Sequence, residues 1–217
     1  MRIACIGYRE WAFKIYDPLM LEPGHVFLMI RGKAAYDEAT LIDFKPDLIL
    51  FYGWSWLVGN ELLSRFTCLM LHPSPLPRYR GGSPIQNQII DGQLDSAVTL
   101  FVMTAEMDAG DIVGQSPLSL AGSLDEIFQR ITEIGLGLTR KLLKEGLVRV
   151  RQDASQASYC KRRKPADSEL TAEELRTASG EYLYNKIRML ADPYPNAYIR
   201  TSDGKRLLIK DAELGEA

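Results

Sequence analysis

The sequence predicts an α/β protein built on an open sheet of mostly parallel strands, with a small helix-plus-hairpin appendage at its C-terminal end. Short apolar runs alternate with helical patterns over residues 1–150, as in sheets whose strands are joined by helices. The run at 47–51 is apolar without alternation, which is typical of a parallel strand buried on both faces. Two extended runs flank Ser202-Asp203-Gly204, which indicates a β-hairpin.

These patterns divide the chain into a Rossmann-like domain over residues 1–150 and a linker, helix and hairpin over 151–217. The expected strands cover residues 2–7, 25–30, 47–51, 68–71, 97–103 and 112–118, with a hairpin at 197–201 and 205–209. The expected helices cover residues 11–21, 36–44, 84–90, 124–147 and 171–189. Ser123 and Glu126 predict a capping box at the start of the longest helix, and Gly146 predicts its end.

Composition excludes several classes of protein. A net charge of −2 over 217 residues argues against a broad nucleic-acid interface. No apolar run reaches the roughly 18 residues of a membrane span, and the N-terminus does not resemble a signal peptide. Three cysteines without paired spacing, two histidines and no Cys-x-x-Cys predict reduced thiols in the cytoplasm and no metal site. A single glycine after the first strand, followed by Tyr8-Arg9-Glu10-Trp11, argues against a dinucleotide cofactor.

The segment from Leu71 to Ser83 is the strongest candidate for a functional site. It follows an apolar strand, and prolines at 73, 75 and 77 prevent that strand from continuing. His72 therefore lies at the carboxyl end of a strand, where open α/β sheets bind ligands. A second candidate, Met107-Asp108-Ala109-Gly110-Asp111, follows another strand. A carboxylate beside an imidazole orients the ring and raises its basicity, so we expect His72 and Asp108 to lie together.

These segments resemble the formyltransferases that use N10-formyltetrahydrofolate. The resemblance lies in His72 with Pro73-Ser74-Pro75-Leu76-Pro77, in Asp108-Ala109-Gly110 at the family's separation, in Arg80-Gly81-Gly82-Ser83-Pro84-Ile85-Gln86, and in Pro193-Tyr194-Pro195-Asn196-Ala197. It covers most of the chain and implies the formyltransferase fold, an acyl transfer of one carbon, and a catalytic domain over residues 1–150.

The resemblance also implies which residues bind the cofactor and the acceptor. His72 would stabilise the oxyanion or relay the amine proton, and Asp108 would orient His72. The expected cofactor-binding residues are Tyr52, Gly53, Trp54, Trp56, Leu57, Met103, Thr104, Met107, Asp108 and Asp111. The expected acceptor-binding residues are Tyr8, Arg9, Trp11, Ser74, Pro75, Arg78, Tyr79, Arg80, Gly81, Gly82 and Gln86.

Met70 departs from the family pattern, which has Asn at this position to polarise the formyl oxygen. A thioether cannot donate a hydrogen bond. Backbone N–H groups near Ser74, or the amides of Gln86 or Asn87, are alternative donors.

The sequence favours a nucleotide-linked amino sugar, with UDP or dTDP, as the acceptor. Resemblance to the sugar N-formyltransferases lies in Gly7-Tyr8-Arg9-x-Trp11, in Pro193-Tyr194-Pro195 and in a short C-terminal hairpin. The same comparison implies a homodimer. Methionyl-tRNA is disfavoured because the chain is acidic overall and ends soon after the hairpin. Glycinamide ribonucleotide is disfavoured because the Gly-rich loop of those enzymes is missing.

Two alternatives of other classes stay open. A non-catalytic module that binds folate or nucleotide sugar would explain Met70, although such a module has no need for the pair His72 and Asp108. A hydrolase that releases formate would need water in the site. We interpret the basic run 161–164 as a solvated linker rather than a phosphate site.

Overall fold

The computed structural model describes residues 1–215. The strands within this range are β1 Arg2–Gly7, β2 Val26–Arg31, β3 Leu48–Tyr52, β4 Cys68–His72, β5 Arg80–Gly81, β6 Asp95–Val102, β7 Ile112–Ser119, β8 Tyr159–Cys160, β9 Ala197–Arg200 and β10 Arg206–Ile209. The α-helices are α1 Glu10–Leu19, α2 Glu38–Phe44, α3 Asn60–Arg65, α4 Pro84–Ile90, α5 Leu124–Glu145, α6 Ala172–Thr177 and α7 Gly180–Arg188.

Six strands form one open sheet in the order β2-β1-β3-β4-β6-β7. The first four strands of the chain pair in parallel, whereas β6 runs antiparallel to β4 and β7 antiparallel to β6. The predicted open, mostly parallel α/β sheet is therefore confirmed, and so is the C-terminal hairpin of β9 and β10. Because β6 runs antiparallel to β4, His72 at the carboxyl end of β4 pairs with Thr99 in the middle of β6.

Alternating residues of β4 face the two layers of the core. Leu69 and Leu71 belong to the larger apolar cluster, which includes residues of α1 and α5. Cys68 belongs to a smaller cluster on the opposite face, and half-buried Met70 packs against it. Since side chains two residues apart point to the same face of a strand, His72 follows Met70 on that face.

Tyr16 connects α1 to the centre of the sheet. Its hydroxyl donates toward Ile6 O at 3.0 Å and Leu50 O at 2.9 Å, and accepts the Tyr52 N–H at 2.8 Å. Its ring stacks on Tyr52, with centroids 5.1 Å apart. A single buried hydroxyl thus satisfies backbone groups at the carboxyl ends of β1 and β3, directly below the loops that follow them.

The predicted helix over 171–189 is wrong in one respect, because two helices occupy this range. Thr171 caps α6 through a capping box with Glu174, and Ser179 starts α7 by accepting the Tyr182 N–H. Ser and Gly at 179–180 favour a new helix start over continuation of the first. Residues from this segment still join the main core, since Ile187 and Met189 belong to the larger apolar cluster.

No helix within residues 1–215 combines the length and the apolar character needed to cross a membrane.

Replacing Tyr16 by Phe should lower the free energy of unfolding by about 1–3 kcal/mol, because the buried Tyr52 N–H loses its partner. Urea denaturation followed by circular dichroism measures the change. Tyr36→Phe is the matched control, since the Tyr36 hydroxyl makes a half-buried bond to Glu38 and the control should lose less. Equal stability of Tyr16→Phe and the unmodified protein would contradict the assigned role.

Candidate active site

His72 is the last residue of β4 and is 5% exposed. Its Nε2 lies 2.9 Å from the carbonyl oxygen of Tyr79. A carbonyl only accepts, so Nε2 carries a hydrogen and donates it. The segment after β4 folds back over the ring through Ser74 N–H to His72 O at 2.9 Å. The hydrogen bond at Nε2 therefore fixes the imidazole ring, and Nδ1 lies on the side of the ring away from Tyr79.

Asp108 lies on that other side. Its Oδ2 is 3.7 Å from His72 Nδ1 and accepts the backbone N–H of Gly81 at 2.7 Å. Both side chains are largely buried, at 7% exposure for His72 and 12% for Asp108. Asp108 has a φ of 51°, a left-handed conformation that aspartate tolerates better than most residues. The predicted pairing of His72 and Asp108 is confirmed as a contact between two segments 36 residues apart.

Gly81 makes the contact with Asp108 possible. It has a φ of 104°, and a Cβ at this position would collide with the carbonyl of Cys160. The short strands β5 and β8 run in parallel here and pair Gly81 with Cys160. Glycine is needed because β8 passes against the backbone that presents its N–H to Asp108.

Gln152 holds the Asp108 loop and was missed by the sequence prediction. Its Nε2 donates to the carbonyls of Asp108 at 2.9 Å and Gly110 at 2.7 Å. Its Oε1 accepts from Arg80 Nη2 at 2.8 Å and Nε at 3.2 Å. Arg80, which is 3% exposed, was expected to bind the acceptor and instead supports the loop from behind. A single Gln in a polar segment gives no sequence signal of this kind.

A cavity of about 720 Å³ opens beside the His72–Asp108 pair. It lies between the loop after β3, the end of β4, the start of α4, the 160–163 segment and residues 193–195. It brings together most of the residues predicted from the sequence: Tyr8, Arg9, Trp11, Gly53, Trp54, Trp56, Leu57, Met70, His72, Gly81, Gly82, Gln86, Met107 and Asp108.

The other predicted residues do not line this cavity, namely Tyr52, Ser74, Pro75, Arg78, Tyr79, Arg80, Met103, Thr104 and Asp111. Several have structural partners instead. The Tyr52 hydroxyl bonds Thr139 at 2.8 Å, and the Ser74 hydroxyl donates to Arg78 O at 2.9 Å. The Tyr79 hydroxyl donates to Asp91 at 3.0 Å. The part of Tyr79 that acts near the cavity is its backbone carbonyl, which accepts from His72.

One side of the cavity is aromatic. Trp56 lies 4.7 Å from both Tyr8 and Trp54, measured between ring centroids. The Nε1 of Trp54 is buried and has no hydrogen-bond partner within residues 1–215. Leu57 and Met107 add exposed apolar surface, at 92% and 58% exposure. Flat apolar surface with an unused buried N–H fits a polar heteroaromatic ring such as a pterin.

Another part of the lining is cationic. Lys161, Arg162 and Arg163 line the cavity, whereas Arg9 lies against the aromatic residues, with its guanidinium 4.6 Å from the ring of Tyr8. Arg163 N–H donates to Ser83 Oγ at 3.1 Å, which ties this segment to the start of α4. Residues 161–163 of the basic run, which we interpreted as a solvated linker, thus line the cavity, and Lys161 and Arg162 are exposed to solvent. Asp108 is the one acidic residue among the described lining residues.

Tyr194 and Phe128 also line the cavity and were not predicted to do so. Burial raises the pKa of Tyr194, while the neighbouring Arg9 guanidinium acts in the opposite direction. Burial likewise raises the pKa of the Cys160 thiol, which lies near the backbone carbonyls of residues 79, 80 and 82. Within residues 1–215 no group of three or more His, Cys, Asp or Glu side chains is placed to hold a metal ion.

Comparison with known proteins agrees with this fold. Residues 31–136 match the family model described as Formyl transferase, and this part of the chain belongs to that family. A methionyl-tRNA formyltransferase of Moorella thermoacetica is 34% identical over 178 residues, which are 78% of this chain and 55% of the relative. The chain thus spans about half the length of the curated relatives it matches.

Solved structures show the same fold. The methionyl-tRNA formyltransferase from Clostridium thermocellum has a TM-score of 0.86 at 29% identity, covering 96% of this chain and 97% of that chain. A 4-N formyltransferase from Francisella tularensis has a TM-score of 0.79 at 17% identity, covering 100% and 98%. At 17% identity the second likeness shows the fold alone.

The predicted nucleotide-sugar acceptor is contradicted by these relatives. The curated proteins that match most of the chain at about 30% identity are methionyl-tRNA formyltransferases. The prediction relied on short segments shared with the sugar enzymes, on where the chain ends and on overall charge. A net charge of −2 conceals a cavity lined by four cations and one carboxylate. The expectation that the chain binds no nucleic acid is in doubt for the same reason.

Replacing Gln152 by Leu should lower the free energy of unfolding by about 2–4 kcal/mol, because it removes the acceptor of Arg80 Nε and Nη2 and the donor to two loop carbonyls. Urea denaturation measures the loss. Gln129→Leu is the control, since Gln129 is exposed on α5 and the change there should stay within about 0.5 kcal/mol. Similar losses in both variants would show that Gln152 does not hold the loop.

Proposed function

We propose that this chain transfers the formyl group of N10-formyltetrahydrofolate to the amino group of methionyl-tRNA. The observation that carries the proposal is a single cavity whose lining combines the His72–Asp108 pair with an aromatic side and a cationic side. The family match and the methionyl-tRNA formyltransferase relatives support the reaction and the acceptor. The homodimer and the cytoplasmic location expected from the sequence remain predictions.

The two sides of the cavity fit the two substrates differently. The aromatic side, with Trp54 and Trp56, fits the pterin of the folate. When bound, the folate supplies an activated formyl group, and the acceptor nitrogen replaces N10 at the formyl carbon as one amine proton is returned to N10. The structure offers no further acidic residue in the described lining, so Asp108 is the carboxylate available to that proton.

His72 and Asp108 act as one unit in this scheme. The Tyr79 carbonyl holds the Nε2 hydrogen, which leaves Nδ1 to exchange a proton near Asp108 Oδ2. The bond from Gly81 N–H to Asp108 keeps the carboxylate in place while His72 changes its charge. A proton taken from the amine can therefore be held between His72 Nδ1 and Asp108 without movement of the backbone.

The cationic side supports an acceptor that carries phosphates. Lys161, Arg162 and Arg163 lie on one continuous segment, so they can follow a chain of phosphodiesters. The 3′ end of a charged tRNA is single-stranded and presents its amino acid at the tip. Such an acceptor requires its phosphates to lie at the rim of the cavity while its amine lies beside His72.

The direct test is incubation of the purified protein with N10-formyltetrahydrofolate and methionyl-tRNA, followed by hydrolysis and mass spectrometry of the released amino acid. The expected product is methionine heavier by one formyl group. Free methionine and uncharged tRNA serve as controls. Tight folate binding without a formylated product would contradict the proposal and favour a non-catalytic binding module.

His72→Asn and Asp108→Asn should each lower turnover by on the order of 100-fold, because each removes proton transfer or its orientation at the reacting atoms. Steady-state rates with saturating acceptor measure the loss, and circular dichroism checks that both variants fold. Near-normal turnover in either variant would remove that residue from the mechanism.

The double variant Lys161→Ala/Arg162→Ala should bind methionyl-tRNA more weakly and with a flatter salt dependence, by about 0.7 in slope for each lost phosphate contact. Filter binding at several salt concentrations measures both quantities. The control double variant Lys141→Ala/Lys144→Ala removes the same charge from the exposed face of α5. Equal losses in the two double variants would show that the cavity rim does not contact the phosphates.

A further inference from the structure

Met70 provides no hydrogen-bond donor to the cavity. Met70 and His72 both line it and lie two residues apart on β4, so their side chains share one face. A thioether has no hydrogen to donate. A carbonyl oxygen bound beside His72 therefore gains nothing from position 70, and a donor must come from another segment.

Gln86 has such a donor. It lines the same cavity and is 3% exposed, and its Nε2 is buried and makes no hydrogen bond of normal length within residues 1–215, although the Tyr194 hydroxyl lies beside the amide. Burying an unpaired amide N–H is unfavourable unless a ligand completes the bond. The unused hydrogens of this amide thus point to a ligand oxygen.

The neighbouring amides of α4 are already committed. Asn87 Nδ2 donates to the carbonyls of Gly82 at 3.1 Å and Ser83 at 2.9 Å, and Gln88 Nε2 donates to Pro73 O at 2.9 Å. The Gln88 bond holds the start of α4 against the residue that follows His72. The same bond therefore fixes the helix that carries Gln86 beside the end of β4.

Other polar groups of the lining are less suitable. The Tyr8 hydroxyl and the Ser55 hydroxyl bond each other at 2.8 Å. Trp54 Nε1 is also without a partner among the described residues, but Trp54 packs in the aromatic cluster, 4.9 Å from the Tyr36 ring.

We infer that Gln86 donates its Nε2 hydrogen to the oxygen of the formyl group, in place of the side chain missing at position 70. Gln86 is thereby a catalytic residue, since negative charge grows on that oxygen as the amine attacks. No covalent bond to Gln86 forms, and its protons stay on the amide. The inference rests on the proposed function, because it assumes a formylated folate in the cavity.

The first test measures binding without any acceptor. Gln86→Met keeps a long unbranched side chain but removes the donor. Quenching of tryptophan fluorescence reports the affinity for 10-formylfolate, an unreactive formylated analogue, and for folate, which lacks the formyl oxygen. The variant should bind 10-formylfolate roughly 3- to 10-fold more weakly than the unmodified protein and bind folate equally well. Gln156→Met, at an exposed position, should change neither affinity.

The second test measures turnover and rescue. Gln86→Met should lower turnover by on the order of 100-fold with little change in the KM of the acceptor. Adding Met70→Asn to this variant should restore at least a tenth of the lost activity, because the new amide donates from position 70. If Gln86 had only a structural role, an amide introduced at position 70 on β4 would not restore the activity.

Three outcomes would overturn the inference. These are equal loss of affinity for 10-formylfolate and folate, a rise in acceptor KM alone, or no rescue by Met70→Asn in a variant that folds normally. Failure of the unmodified protein to bind either folate would instead contradict the proposed function itself. Folate binding by the unmodified protein therefore distinguishes failure of the inference from failure of the proposed function.

Discussion

The active site depends on the four hydrogen bonds of the Gln152 side chain. Its amide joins the buried guanidinium of Arg80 to the carbonyls of Asp108 and Gly110. These contacts fix the two chain segments that flank His72, one through β5 and the other through the loop after β6. Gln152 belongs to neither of these segments, yet it sets the distance between His72 and Asp108. Because the network is buried, each bond is worth more than its exposed equivalent would be.

The fold was predictable because its signals are local. Apolar runs marked β1 to β4, β6 and β7, and the capping box at Ser123 marked the start of α5. The prediction failed where tertiary contacts decide. The two-residue strands β5 and β8 exist only because they pair with each other. The break between α6 and α7 is different, because Ser179 caps α7 locally and the prediction passed over that signal.

The candidate site was predictable where a motif ends a strand and unpredictable where a side chain crosses between segments. His72 follows an apolar run, so its place at a ligand-binding strand end follows from the architecture. Asp108 follows β6, which is antiparallel to β4, and the loop over 103–111 brings it back to His72. Arg80 belongs to the same motif, yet its guanidinium points away from the cavity toward Gln152. Lys161 to Arg163 form a visible basic run, but only the pairing of β8 with β5 shows that the run lines the cavity. Net charge could not reveal this, because it averages over the whole surface.

The β5–β8 contact joins the His72–Asp108 pair to the cationic segment at 161–163. Gly81 gives its N–H to Asp108, and the strand that crowds Gly81 continues directly into Lys161 and Arg162. The His72–Asp108 pair thus lies on the end of β4 and the loop after β6, whereas the cations at 161–163 follow a two-residue strand that pairs with β5 outside the six-stranded sheet. Under the proposed function, substitutions in 161–163 would change the acceptor without disturbing the six-stranded sheet. One architecture can in this way serve unrelated amines, so the acceptor-facing segment would diverge faster in evolution than the strand ends.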